Sequence, residues 1–228
     1  MNCLVCNITM ADGAYYSRCP DCGLVKSHHP ANYDLNEYTD KYHKLFGTDM
    51  EIRIDVNRVA TVMRHLPLNS TVLDYGCSCG NFIARLEKYG YRCLGYEPCE
   101  GSARAKTCYS CIASKVEDID GRFDAITMFD VFEHFEDPGE TFGAIDQHVK
   151  QGGVVIINTP SPKNVKDPST WYHFWPGQHI YFWTPEALGA FMGNLGYALI
   201  EENYLESTLR KNDPTPEVLL TMVFRKKQ

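Results

Sequence analysis

Residues 70–98 read STVLDYGCSCGNFIARLEKYGYRCLGYEP, and the architecture of the chain follows from this stretch. Thr71 to Tyr75 is a short apolar run of the β-branched and aromatic kind that forms a buried strand. It ends in Asp74 and a glycine turn, Gly76 to Gly80. A helical pattern follows, with Phe82, Ile83, Leu86 and Tyr89 on one face and Gly90 as its stop. A second strand, Tyr91–Tyr96, delivers Glu97 just past its C-terminal end. Strand, glycine turn, helix, strand and acid make a nucleotide-binding βαβ unit. Glycine lets the backbone approach a ligand closely, and the helix N-terminus offers unpaired N–H groups and positive dipole. Glu97 stands 21 residues beyond Gly76, where a carboxylate can accept hydrogen bonds from both ribose hydroxyls. The turn lacks the G-x-G-x-x-G of dinucleotide sites. An α/β domain with a glycine-rich first turn and no nucleoside ligand is the bland alternative.

The rest of the chain continues the α/β alternation. Upstream, Ile52, Val56, Val59, Val62, Met63 and Leu66 recur at helical spacing until Pro67 ends the pattern. Downstream, residues 101–107 form a short helix and Cys108–Ala113 a third strand, with Ser114–Glu117 at its end. Phe123–Phe129 (FDAITMF) is a fourth strand and Val154–Asn158 a fifth, separated by a helix over Gly139–Val149 and the turn Gly152-Gly153. Thr184 caps a helix starting Pro185-Glu186, running to about Asn194 and stopped by Gly196. Tyr197–Tyr204 and Glu217–Arg225 close the sheet as an antiparallel hairpin. Between residues 159 and 183 lie Trp171, Tyr172, Phe174, Trp175, Tyr181, Phe182 and Trp183. A loop this long and aromatic is expected to cover the active site, the alternative being a hydrophobic plug.

At the N-terminus, Cys3-x2-Cys6 and Cys19-Pro-Asp-Cys22-Gly23 are separated by twelve residues. Two such knuckles supply four thiolates for tetrahedral zinc, with Ala14–Arg18 as a strand of a small ribbon. Four thiolates leave no open position, so the metal is structural, and so short a segment needs such a staple. The remaining cysteines (Cys77, Cys79, Cys93, Cys99, Cys108, Cys111) read as half-buried thiols, because alternation points Cys108 and Cys111 to opposite faces of a strand. A connector with Tyr38, Tyr42 and Leu45-Phe46 at helical spacing joins the two parts. The expected division is a zinc-ribbon-like unit over 1–30, a helical connector and cofactor cover over 31–68, and a Rossmann-like domain over 69–228.

The chain has 228 residues, 44% hydrophobic, with a formal charge of −7, which weighs against a large nucleic-acid footprint. No apolar stretch reaches the roughly 18–20 residues that cross a bilayer. The opening MNCLVCN shows no charged segment followed by an apolar one, so a cytoplasmic location without membrane partners is expected, in keeping with reduced thiols.

The turn D-Y-G-C-S-C-G resembles the D-x-G-x-G-x-G motif of class I S-adenosylmethionine (SAM)-dependent methyltransferases, departing at Ser78, where that family has its middle glycine. FDAITMFDVFEHFEDP…VKQGGVVIINTP resembles the region after the fourth strand of small-molecule methyltransferases, with their E-H-x-x-D-P. QHIYFWTPEAL resembles the H-x-x-x-[FW]-[ST] segment of the same group. The tandem knuckles are similar to those of zinc-ribbon-bearing members, including C-methyltransferases of deoxysugars. The resemblance implies a Rossmann-like seven-stranded class I sheet with a small N-terminal zinc ribbon, and SAM lined by Gly76, Cys77, Gly80, Glu97, Pro98, Glu117 and Met128. It implies that Asp74 shapes the loop and helps hold the methionine ammonium, and that Tyr38 and Tyr42 cover the cofactor. His179, on the covering loop, and His134 are the candidate bases, since imidazole titrates near operating pH; ordering of their loops is the alternative role. The expected substrate is a small molecule such as a sugar or nucleotide-sugar. An RNA methyltransferase gripping nucleic acid through the ribbon, and a non-catalytic interaction module with a decayed loop at Ser78, are the competing readings.

Overall fold

The computed structural model describes residues 1–29, 47–98, 112–210 and 218–228. Tyr38, Tyr42, Cys99, Cys108, Cys111 and the short helix expected over residues 101–107 lie outside the described residues.

A mixed central sheet organises the molecule. Its strands are β4 (Thr71–Tyr75), β5 (Arg92–Tyr96), β6 (Ile112–Ala113), β7 (Phe123–Phe129), β8 (Val149–Pro160), β10 (Tyr197–Asn203) and β11 (Leu219–Lys226), in the order β10-β11-β8-β7-β4-β5-β6. Six are full strands; β6 contributes two residues at the edge. Pairs from β6 to β8 are parallel, while β11 runs antiparallel to β8 and β10 antiparallel to β11. The chain leaves β4 outward through β5 and β6, then returns to build the other half from β7. The order therefore reverses between β4 and β7, and the C-terminal ends of these two strands are where open α/β sheets form a ligand crevice.

Strand alternation sends side chains into two cores. Leu73, Ile126, Met128, Val155 and Ile157 face one side, where Phe142 and Ile145 of α3 (Pro138–Asp146) and Leu188, Phe191 and Met192 of α4 (Pro185–Asn194) pack. Val72, Ala125, Phe129, Val154 and Ile156 face the other, covered by Val59 and Val62 of α1 (Asp49–His65) and by Phe82, Ile83 and Leu86 of α2 (Asn81–Lys88). Burial on both faces explains why β7 and β8 read as nearly continuous apolar runs. Thr48 caps α1 by accepting from the Glu51 N–H at 3.2 Å.

Two boundaries depart from the sequence reading. The helix expected over Gly139–Val149 stops at Asp146, and Gly152-Gly153 lie inside β8 rather than before it. The β7–β8 register shifts between Phe123 and Ala125, and Gly152 takes φ +70°, so the strand runs on through an irregularity instead of ending. A short helix, α5 (Leu205–Leu209), follows β10 in what reads as a plain hairpin connection.

The N-terminal segment forms β1 (Ala11–Asp12), β2 (Tyr16–Arg18) and β3 (Val25–Ser27). They make a second sheet with β9 (Tyr181–Phe182), in the order β1-β2-β3-β9. Val25 pairs with Phe182 and Lys26 with Tyr181, so the cysteine-bearing segment shares a sheet with the chain leading into α4.

Candidate active site

The glycine turn sits at the mouth of the β4/β7 crevice. Gly76 has φ +83°, and a Cβ there would lie 2.4 Å from Val131 Cγ2, so only glycine lets the two loops approach this closely. The Gly76 and Cys77 N–H groups donate to Tyr96 O at 2.8 and 3.0 Å. Ser78 takes φ +49°, the left-handed conformation for which glycine is favoured, and its N–H donates to Glu97 Oε2 at 2.9 Å. Glu97 thus reaches from the end of β5 to the turn after β4. Gly80, at φ +81°, is the N-cap of α2 and has no side chain with which to cap it.

Asp74 is buried and accepts from Thr127 Oγ1 at 2.6 Å; burial pushes its carboxyl up to about 7. The buried Cys77 thiol points at the sheet: a Cβ on Gly95 would lie 2.5 Å from its Sγ, so any cofactor contact at Cys77 falls to its backbone. Met128 is fully buried in the core beneath the crevice. Glu117 is exposed on the 3₁₀ turn after β6, and Pro98 is exposed beyond Glu97. The structure therefore brings Asp74, Gly76, Ser78, Gly80 and Glu97 together, and sets Met128 and Cys77 Sγ inward.

Across the crevice, β7 ends in Asp130, at φ +57°. Its carboxylate accepts from Arg58 Nη2 at 2.7 Å and Arg210 Nη2 at 2.5 Å. The same arginines bind Glu206, each at 2.6 Å. Burial opposes charge on Asp130, yet Arg210 and Arg58 hold it well below the usual carboxylate range. Of this quartet only Glu206 and Arg210 are local, an i,i+4 pair; Arg58 of α1 and Asp130 after β7 lie far away in sequence, so the cluster escaped the sequence reading.

The 3₁₀ turn Phe132–His134 follows. Phe132 is fully buried, its ring 5.1 Å from that of Trp183. Glu133 is buried and accepts from Thr159 Oγ1 at 2.8 Å, and burial pushes its carboxyl up to about 8. The Ile180 N–H donates to Glu133 O at 2.8 Å, which binds the 171–183 segment to this turn. His134 and His179, 45 residues apart in sequence, meet with ring centroids at 4.8 Å. Nδ1 of His134 donates to Gln178 O at 2.9 Å, and Nδ1 of His179 to His173 O at 2.8 Å. Burial lowers the pKa of both, that of His179 to about 3. The aromatics around them are largely a plug. Phe174 and Phe182 pack with Val25 on the small sheet, in a cluster with Tyr16 and Trp171, Trp183 is fully buried, and Tyr172 is exposed.

The four N-terminal cysteines converge. Their sulfurs all lie within 4.8 Å of one another, and Cys3 and Cys22 are 3.7 Å apart. Sulfurs at tetrahedral zinc, about 2.3 Å from the ion, are about 3.8 Å apart. The second knuckle touches the main domain through Thr184, whose Oγ1 donates to Cys22 O at 2.5 Å.

Known proteins share this fold. A family model described as a methyltransferase domain matches residues 38–202, well over half of the chain. The chain belongs to the methyltransferase-domain family. The ubiquinone biosynthesis O-methyltransferase of Chromobacterium violaceum is 27% identical over 145 residues, 55% of this chain and 62% of the relative, so the methyltransferase spans less than two thirds of that relative's length. Among solved structures, the 1,6-didemethyltoxoflavin-N1-methyltransferase of Burkholderia thailandensis with bound S-adenosylhomocysteine (SAH) superposes with a TM-score of 0.64 at 14% identity, over 94% of this chain and 100% of that one. The SAH-bound magnesium protoporphyrin IX methyltransferase of Synechocystis PCC 6803 gives 0.64 at 14% identity, over 84% and 95%. At such identities the likeness is one of fold. Among the described residues, no helix is long and apolar enough to cross a membrane.

Proposed function

We propose that this methyltransferase binds SAM in the β4/β7 crevice and methylates a small polar metabolite, such as a sugar or nucleotide-sugar. The observation that carries the reading is Glu97: a carboxylate at the end of β5, bonded to the Ser78 N–H of the turn that opens α2. When bound there, SAM supplies a methyl group activated on a sulfonium. The residues suit it. Glu97 stands where ribose hydroxyls would donate, the uncapped start of α2 offers N–H donors, and Asp74 places a carboxylate under the turn for an ammonium. Ser78 adopts the positive φ of the turn and keeps its N–H on Glu97, which supports a formed cofactor loop. Pro98 and Glu117 extend this edge toward an adenine, while Tyr38 and Tyr42 belong to the proposed cover.

The acceptor belongs on the opposite wall, where His134 and His179 project from the turn after β7 and the segment before β9. Both are held as neutral imidazoles, and His179, with its pKa at about 3, is a weak proton acceptor. Holding the acceptor in line with the methyl group supplies several kcal/mol without a strong base. The histidines orient the acceptor from this wall. We assign Cys3, Cys6, Cys19 and Cys22 to a structural Zn2+ in a ribbon that braces β9 and α4; elemental analysis giving one zinc per chain tests this. The charge of −7 favours a small-molecule acceptor over RNA.

Calorimetric titration with SAH, on the wild type and Glu97→Ala, tests the cofactor site. Micromolar binding by the wild type and at least a tenfold loss in the variant is expected. A zinc-loaded wild type that fails to bind SAH overturns the proposal and leaves an interaction module.

A further inference from the structure

The glycine turn before α2 is held from two sides. Its entry is fixed by Glu97, which accepts from the Ser78 N–H at 2.9 Å. Its exit is fixed from α1. Asn81, the first residue of α2 and the neighbour of Gly80, donates from Nδ2 to Glu51 Oε1 at 2.9 Å, across 30 residues of sequence. A carboxylate only accepts, so this bond also sets which way the Asn81 amide is turned. Glu51 is itself locked before it reaches α2. Its Oε2 accepts from the Gly47 N–H at 2.8 Å, and its own N–H donates to the Thr48 N-cap. One turn further along both helices, Asp55 accepts from Arg85 Nε at 2.8 Å. The Glu51 side chain is 13% exposed, so water competes little for these bonds.

We propose that Glu51 is a positioning residue for the cofactor, acting through Asn81 on the Ser78–Gly80 turn. The proposal rests on the reading of that turn as the SAM site. The apolar cluster that Val59 and Val62 form with Phe82, Ile83 and Leu86 joins α1 to α2 without direction, so it does not fix where α2 begins. A hydrogen bond to the first side chain of α2 does. The turn needs that anchor, because Ser78 stands at φ +49°, a conformation that persists only where its surroundings over-determine it. Without Glu51 the exit of the turn relaxes, and the turn shifts against Glu97, the carboxylate with which it receives the cofactor. An error of about 1 Å in such a support is enough to loosen a site. Glutamine can replace the carboxylate: its oxygen takes the Gly47 N–H, and its Nε2 donates to Asn81 Oδ1 once that amide turns over. Alanine keeps neither bond.

The test applies two measurements to zinc-loaded protein: calorimetric SAH affinity well below the unfolding temperature, and amide hydrogen exchange of the SAH-free protein over residues 76–84. Glu51→Ala and Asn81→Ala should each weaken SAH binding at least about fivefold and speed exchange over 76–84 by a similar factor, with β7 unchanged. The double variant should do no worse than Glu51→Ala, because the bond between the two side chains is already gone. Glu51→Gln should stay within about twofold of wild type in both measurements, its bonds being kept. Asn81→Ala leaves the Gly47 and Thr48 contacts of α1 in place and carries the test if Glu51→Ala misfolds. SAH affinity unchanged in the alanine variants, whether or not exchange is faster, overturns the positioning role and leaves the cofactor site standing. A Glu51→Gln variant as impaired as Glu51→Ala overturns the two-bond account. A wild type that binds no SAH overturns the SAM reading and the cofactor role with it, and faster exchange in Glu51→Ala would then leave a brace of the turn alone.

Discussion

Thr184 joins three parts of the molecule through one hydroxyl, and replacing it measures that link. Its proton is donated to Cys22 O, and its lone pair accepts from the Ala187 N–H at 3.1 Å, capping α4. Thr184→Val keeps the shape and removes both bonds. Loss of the cap costs about 1 kcal/mol. The buried Cys22 carbonyl left without its partner adds about 1–3 kcal/mol. Valine should therefore lower unfolding stability by roughly 2–4 kcal/mol in urea, and speed transfer of the metal to a chromogenic chelator, because the second knuckle loses its anchor on α4. Thr184→Ser keeps both bonds and removes one buried methyl, at about 0.8 kcal/mol. Equal effects of serine and valine would refute the hydroxyl as the link. A destabilised valine variant that releases metal no faster than wild type would reduce Thr184 to a helix cap.

The other predictions concern the crevice. The Asp74 carboxyl is raised to about 7 when folded, against about 4 unfolded, so the native state holds the extra proton between these values. Stability should therefore fall as pH rises from about 4 to about 7, by at most about 4 kcal/mol, and Asp74→Asn should lack this component; parallel slopes in urea titrations across that range would sink the claim. Glu206→Gln leaves Arg58 and Arg210 sharing Asp130 alone and should cost about 3–5 kcal/mol in chemical denaturation, and a loss under 1 kcal/mol would mean the quartet is not held as described. Ser78→Gly should be nearly neutral in stability, relief of left-handed strain offsetting the entropy of glycine. Ser78→Val should be lower than Ser78→Gly by about 1–3 kcal/mol in melting-derived stability, and a valine variant as stable as serine would contradict the positive φ.

Local pattern was enough for the βαβ core. Alternation and turn residues place β4, α2, β5 and β7 because their spacing is read within one turn or pleat. Thr184-Pro185 marks the start of α4 for the same reason, the cap and the first helical residue being adjacent. Paired knuckles likewise foretell a cysteine cluster, since each bite is local. Where local signs compete with pairing, pattern fails: the glycines at 152–153 read as a turn but lie within β8, as the irregularity between the pairs Phe123–Val149 and Ala125–Val154. The aromatic run after β8 reads as a cover, yet Phe174 and Phe182 pack on the small sheet and Tyr181 and Trp183 in the main core, because side-chain identity does not say which surface a loop meets. Apart from the i,i+4 pair Glu206–Arg210, the arginine–carboxylate quartet joins residues from 72 to 148 positions apart, and the approach of His179 to His134 spans 45. Their contacts arise only when α1, β7 and the segment before β9 converge on the reversal point of the sheet. Residue chemistry was legible from the chain; which groups share a low-dielectric space, and so what charge and protons they keep, was set by packing.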